Sequence, residues 1–201
     1  MKILSDDFYY KKAKYTGFRS RASYKLLELN DKFKFFRKGQ IVVDLGAAPG
    51  GWTQVAAMKI GSEGRVLAID KAYIEPFKET NVIILHQDIM NPKLQSQIID
   101  EFGDVDVLIS DCAPNISGQY GLDHSIQTML AERALDLAKN ILKSDGHFVC
   151  KLFQGNETQE LIKEAKQTFE SIKLYKPKAS RKKSSEIYLY GTSLQRMIEK
   201  Q

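Results

Sequence analysis

Short apolar runs, several closing on an acid, alternate along the chain with stretches whose apolar residues recur at helical spacing. The runs 40–45 (QIVVDL), 65–69 (RVLAI), 82–85 (VIIL), 105–110 (VDVLIS) and 146–152 (GHFVCKL) predict strands. Near-continuous apolar stretches of this length suit a strand covered on both faces. Helices are predicted over 20–36, with Ser20 as the cap, and over 52–60, 93–102, 123–142 and 158–170. In the helix 123–142, Ile126, Leu130, Ala134, Leu137 and Ile141 line one stripe. The last two runs, 172–175 and 186–192, have no helix between them and predict a hairpin. The sum is an α/β sheet with helices on both faces, closing on an antiparallel pair. Residues 5–19 are polar, aromatic and basic and read as an arm. No repeat, low-complexity segment or linker divides the chain, so a single domain over 1–201 is expected, with the basic and aromatic arm at 1–19.

Composition narrows the class. With 43% apolar and 27% charged residues the chain has an ordinary globular balance, and no apolar stretch approaches the ~20 residues of a membrane helix. The start, Met1 to Asp7, lacks the apolar core of a signal peptide. Two cysteines cannot build a disulfide framework, so a reducing, cytoplasmic setting is expected. Three histidines and two cysteines also argue against a zinc site. The net charge of +5 is unevenly spread. Residues 1–38 hold 11 Lys/Arg against 4 Asp/Glu, residues 39–172 hold 11 against 19, and residues 173–201 hold 8 against 2. An acidic body thus carries two basic ends. If the ends meet in space they form one positive patch, the footprint of a polyanion such as nucleic acid. Mobile basic tails without a partner are the plainer reading of the same counts.

Asp70, Asp88, Asp111 and Lys151 fall at or near the carboxyl ends of predicted strands, where open α/β sheets bind ligands. The segment 44–52 (DLGAAPGGW) joins the first strand to the next helix. Its glycines permit a tight turn and close approach of a ligand. The spacing is not Gly-x-Gly-x-x-Gly and lacks Gly-Lys-Ser/Thr, so neither a dinucleotide fingerprint nor a P-loop fits. Asp70 is placed to accept from ribose hydroxyls and Asp88 from an exocyclic amine. An uncharged turn with two acids suits a nucleoside bearing a positive sulfonium better than one bearing phosphates. A turn with merely solvated acids is the alternative.

These segments carry a resemblance. DLGAAPGGWTQ (44–54), DIM (88–90), SDCAPNISG (110–118), KLFQG (151–155) and SSEIYLYG (184–191), with RSRASYKLLEL (19–29) upstream, resemble the FtsJ/RrmJ family of S-adenosylmethionine-dependent RNA 2′-O-methyltransferases, in order and over nearly the whole chain. The resemblance implies a Rossmann-like class I methyltransferase fold with a seven-stranded, mostly parallel sheet. It implies S-adenosylmethionine as cofactor, surrounded by Gly50, Trp52, Asp70, Asp88 and Asp111, with no metal. It implies a catalytic tetrad of Lys25, Asp111, Lys151 and Glu186, each inside a matched motif. The implied substrate is an RNA ribose, in the single-domain form a uridine of the A-loop of large-subunit ribosomal RNA, free or in the assembled subunit. A monomer away from membranes is expected. Relatives that modify the tRNA anticodon loop make tRNA the second candidate substrate.

The chemistry accounts for these residue types. A methyl group on a sulfonium is already activated, so no covalent enzyme intermediate is needed. The 2′-hydroxyl is a poor nucleophile until it loses its proton. A lysine serves as base only as the neutral amine, against an ordinary pKa of about 10.4. A second lysine nearby favours that form, while carboxylates oppose it and hold the ammonium groups in place. Alone, Lys25 or Glu186 would read as surface charge. Cys112 stands where the family commonly has methionine, and attack by its thiolate is the alternative chemistry. Both Cys112 and Cys150 are expected instead to pack as small buried groups. Pro114-Asn115-Ile116 lacks the aromatic residue with which an adenine-N6 methyltransferase stacks a flipped base. Phe8, Tyr9, Tyr10, Tyr15 and Phe18 interleave with Lys11, Lys12, Lys14, Arg19 and Arg21, and Lys173, Lys176, Lys178, Arg181, Lys182 and Lys183 precede Glu186. Cations of both ends are expected to follow phosphates while aromatics stack on bases. A non-catalytic RNA-binding assembly factor and a small-molecule methyltransferase are the competing classes. The complete tetrad speaks against the first and the basic ends against the second.

Overall fold

Each apolar run becomes a strand of one sheet, because runs such as Ile41–Leu45 have no polar face to offer water and must be covered on both sides. The computed structural model describes residues 6–114, 117–155 and 157–195. The strands are β1 (Ile41–Leu45), β2 (Arg65–Asp70), β3 (Val82–His86), β4 (Val105–Ser110), β5 (Leu142–Phe153), β6 (Phe169–Tyr175) and β7 (Glu186–Leu194). Their order is β3-β2-β1-β4-β5-β7-β6. β3, β2, β1, β4 and β5 run parallel; β7 is antiparallel to both β5 and β6.

The helices are α1 (Asp6–Thr16), α2 (Ser23–Phe33), α3 (Gly51–Ile60), α4 (Leu94–Phe102), α5 (Tyr120–Ile141) and α6 (Thr158–Thr168). One face of the sheet packs against α2 and α3 through Leu26, Leu29, Trp52, Val55 and Ile60. The other packs against α4, α5 and α6 through Ile98, Ala134, Leu137, Ile141 and Leu161. Among the described residues, no helix is long and apolar enough to cross a membrane.

Three expectations need correction. The segment read as an arm is helical from Asp6 to Thr16 and packs Ala13 and Tyr9 against Tyr24 and Ala179. The next helix starts at Ser23 rather than Ser20, and its cap position, Ala22, makes no side-chain bond. The two serines are engaged at the glycine turn instead. Ser23 Oγ donates to the Gly51 carbonyl at 2.9 Å, and Ser20 Oγ lies 2.2 Å from where a Cβ on Gly51 would sit. Finally, β5 starts at Leu142, where a register irregularity against β4 lets the chain leave α5 directly into the sheet.

Candidate active site

The reactive groups converge where strands of unequal length end. β4 stops at Ser110, opposite Cys150, while β5 continues to Phe153. Lys151 therefore stands beyond the end of β4, beside Asp111. The antiparallel register of β7 sets Tyr188 opposite Lys151 and Glu186 opposite Phe153. Residues two apart on a strand share a face, so Glu186 and Tyr188 lie on the side where α2 delivers Lys25.

The resulting cluster is nearly dry. Lys151 is only 5% exposed. Its Nζ donates to the Asp111 carbonyl at 2.5 Å and lies 3.2 Å from Asp111 Oδ1. Tyr188, fully buried, donates its hydroxyl to the same Oδ1 at 2.8 Å. Lys25 Nζ sits 2.6 Å from Glu186 Oε1 and donates to the Tyr188 hydroxyl at 3.3 Å. Two cations and two anions thus balance around one phenol. Burial pushes the Asp111 carboxyl up, but Lys151, then Lys25, and the Tyr188 bond outweigh it and hold it below the usual carboxylate range. Burial, with Asp111 and Glu186 adding, raises the Tyr188 phenol well above its ordinary value, so it stays a donor. Gln127 of α5 donates to the Lys151 carbonyl at 3.0 Å, fixing the backbone past the end of the parallel ladder.

The glycine turn lies at the end of β1. Gly46 has φ 71°, and a Cβ there would come 2.6 Å from Cys112 Sγ and 2.9 Å from Cys112 Cα. The turn therefore rests on the residue after Asp111. Gly50 has φ 109°, and a Cβ there would meet Phe77 and Arg19. Asp70 accepts from the Ala48 amide at 2.9 Å and the Ala72 amide at 2.7 Å. The exposed Asp88 accepts from the Met90 amide at 3.0 Å and lies 3.7 Å from Lys71. Trp52 is 3% exposed, and its Nε1 donates to the Ala22 carbonyl at 2.9 Å. Its indole is a strut beneath the turn, which leaves its backbone, at the start of α3, as the part nearest the crevice.

Sequence reasoning passed over two groups. Tyr188 was hidden within an apolar strand motif, and Asp44 was read only as the end of one. Asp44 is fully buried, with Oδ2 accepting from Thr53 at 2.6 Å. Burial pushes its carboxyl up to about 8, against the Thr53 bond and with help from Asp111 and Asp70. Both cysteines are buried, and burial raises the Cys112 thiol to about 12 and the Cys150 thiol further. Neither is a ready thiolate.

The basic ends meet beside this cluster. Ala13, Tyr24 and Ala179 share one apolar contact, Arg21 donates to the Ala179 carbonyl at 2.8 Å, and the Lys178 amide donates to Glu28 at 2.9 Å. Exposed on the two segments so joined are Phe8, Tyr10, Lys11, Lys12, Lys14, Tyr15, Lys178, Arg181, Lys182 and Lys183. Arg19 is engaged elsewhere. It donates to the carbonyls of Pro49, Glu75 and Pro76 at 3.2, 2.5 and 2.6 Å and stacks 3.8 Å above Phe77. Tyr9 and Phe18 are likewise occupied, packing their rings on Tyr24. Asn115, Ile116, Arg196 and Lys200, counted in the motifs and charges above, lie outside the described residues.

Strand order, crevice and glycine turn together define a Rossmann-like methyltransferase fold. The FtsJ-like methyltransferase family model matches residues 18–194. The chain belongs to that family. It is 46% identical over 186 residues to ribosomal RNA large subunit methyltransferase E of Methanothermobacter thermautotrophicus, covering 92% of this chain and 88% of that protein. It is equally 46% identical over 187 residues to the protein of the same name from Cellvibrio japonicus, covering 92% and 88%. Among solved structures, a ribosomal RNA methyltransferase of Plasmodium falciparum superposes with a TM-score of 0.77 at 26% identity, covering 88% of this chain and 98% of that one.

Proposed function

We propose that this protein transfers a methyl group from S-adenosylmethionine to a ribose 2′-hydroxyl of large-subunit ribosomal RNA, at a uridine of the A-loop. The observation that carries the reading is the cluster of Lys25, Asp111, Lys151, Tyr188 and Glu186, two lysines held by two carboxylates beside an exposed basic face. The relatives named above support ribosomal RNA as the substrate class.

The crevice fits the donor. The turn 46–51 contains no charged residue of its own, its glycines let Arg19, Phe77, Ser20 and Cys112 pack closely on it, and Asp70, Asp88 and Asp111 stand at or just past the ends of β2, β3 and β4. Asp70 would take the ribose hydroxyls and Asp88 the adenine side; Asp111 would face the methyl-bearing end. S-adenosylmethionine, when bound, supplies a methyl group already activated on a sulfonium. Lys151, which pairs with Asp111 as an ammonium, must first give its own proton to solvent, and the neutral amine then takes the proton of the 2′-hydroxyl. Asp111 and the Asp111 carbonyl hold its Nζ in place, and Tyr188 fixes Asp111. Lys25, held by Glu186, keeps a positive charge beside the oxygen as it becomes nucleophilic. No thiol enters the scheme.

The test is methyl transfer from labelled S-adenosylmethionine to ribosomal RNA and to tRNA, with ribose-methylation sites mapped with and without the protein. Label at one ribose 2′-oxygen of large-subunit RNA is expected. Label confined to tRNA, or on a base, would overturn the substrate or the chemistry respectively.

A further inference from the structure

One buried acid has no task in that scheme. Asp44, at the end of β1, is shielded from solvent, has one oxygen on Thr53, and has no partner at Oδ1. Among the described residues no cation is paired with it. The groups that face it are Asp111 and Cys112 beyond β4, Asp70 at the end of β2, and only the Thr53 hydroxyl from α3. The lysines of the cluster pair with Glu186 and Asp111 instead.

Three carboxyl groups therefore surround the glycine turn, and two are already compensated. Asp111 has its lysines, and Asp70 has the Ala48 and Ala72 amides. An ionised carboxylate with an orphan oxygen and no cation is costly in a dry site. Asp44 lies two residues before Gly46, whose missing side chain lets the turn touch Cys112, so turn, Asp44 and Asp111 pack as one unit. A positive charge seated at the turn would supply the compensation that Asp44 lacks.

Resting on S-adenosylmethionine as the donor, we propose that Asp44 is a charge sensor beneath the glycine turn. It keeps its proton while no cation is bound and releases it when the sulfonium is present, so the site prefers the charged donor to the spent product. The only bond broken is the carboxyl O–H, and the proton passes to solvent. The raised carboxyl, about 8, puts the change within reach of ordinary pH.

Infrared difference spectra near neutral pH test this directly. Adding S-adenosylmethionine should abolish the carbonyl stretch of a protonated carboxyl, adding S-adenosylhomocysteine should leave it, and Asp44→Asn should lack it throughout. By linkage, the ratio of donor to product affinity in the native protein, taken relative to Asp44→Asn, should rise by up to about tenfold per pH unit below the midpoint and flatten above it. Thr53→Val keeps the volume but removes the bond that favours the ionised form, so it should move that midpoint to higher pH. This variant keeps the test alive if Asp44→Asn does not fold. A band that survives donor binding, or vanishes equally with the product, overturns the sensor while leaving the donor assignment intact. Failure of either nucleoside to bind at all overturns both.

Discussion

The two halves of the sheet's carboxyl edge are built by different means. Beyond β2 and β3 the acids are held by backbone: Asp70 takes two amides and Asp88 takes one. Beyond β4, and along the ends of β5 and β7, side chains hold one another, from Lys151 through Asp111 and Tyr188 to Lys25 and Glu186. A backbone cradle survives the loss of one acid, because the amides remain where the turn puts them. A side-chain network fails as a unit, since removing one member leaves its buried partner uncompensated. The first half is suited to grip, the second to chemistry that tolerates little displacement.

The sharpest way to break that contrast is at Lys151. Lys151→Ala should lower the single-turnover rate by the ~10²–10⁴-fold of a lost general base, with RNA and donor binding near normal. Lys151→Arg should fail too, because a guanidinium does not give up its proton. Near-normal turnover in either variant would remove Lys151 as base. Tyr188→Phe comes next. It deletes the bond to Asp111, a kind commonly worth about 1.5–3 kcal/mol, together with the longer bond from Lys25, so the rate should fall by at least about tenfold to a hundredfold while donor affinity holds. An equal loss in affinity would merge the two halves.

In the other half, Asp70→Ala should weaken donor binding several-fold to about a hundredfold by calorimetry, with a smaller effect on the rate at saturation. Unchanged affinity would take Asp70 out of the site. Neutralising Lys11, Lys12 and Lys14, or Arg181, Lys182 and Lys183, should reduce RNA affinity and flatten its salt dependence, leaving donor affinity unchanged. If only one group matters, the two ends do not act as one face. The smallest effect is expected for Cys112→Ser, which should retain most of its activity, because burial keeps that thiol protonated up to about 12.

The alternation of strands and helices, the crevice acids and the tetrad motifs could all be read from residue order, because periodicity and strand-end position are local properties. What escaped was decided by partners distant in sequence. Nothing near Arg19 announces that its guanidinium binds carbonyls more than fifty residues away rather than phosphates. The helix α1 buries little beyond Ala13 and part of Tyr9, too narrow a stripe to stand out in a basic, aromatic segment. Trp52 stands in a cofactor motif, yet its ring belongs to the core. Tyr188 looks like any strand tyrosine until the β5–β7 register sets it opposite Lys151. The protonation of Asp44 depends on three strand ends meeting.

The place of β7 in the sheet bears on how the molecule is made. It is the last strand among the described residues, yet it is inserted between β5 and β6. Until it arrives, β6 has no hydrogen-bonding neighbour in the sheet, and Lys25 lacks both Glu186 and Tyr188. The glycine turn and its acids belong to strands synthesised earlier and can assemble from shorter loops, whereas the Lys25–Tyr188 contact closes a span of 163 residues. On a chain emerging from its N-terminus, the glycine turn and its acids can therefore form well before the cluster of Lys25, Tyr188 and Glu186. On the function proposed above, a molecule cut before β7 would bind S-adenosylmethionine without passing its methyl group on.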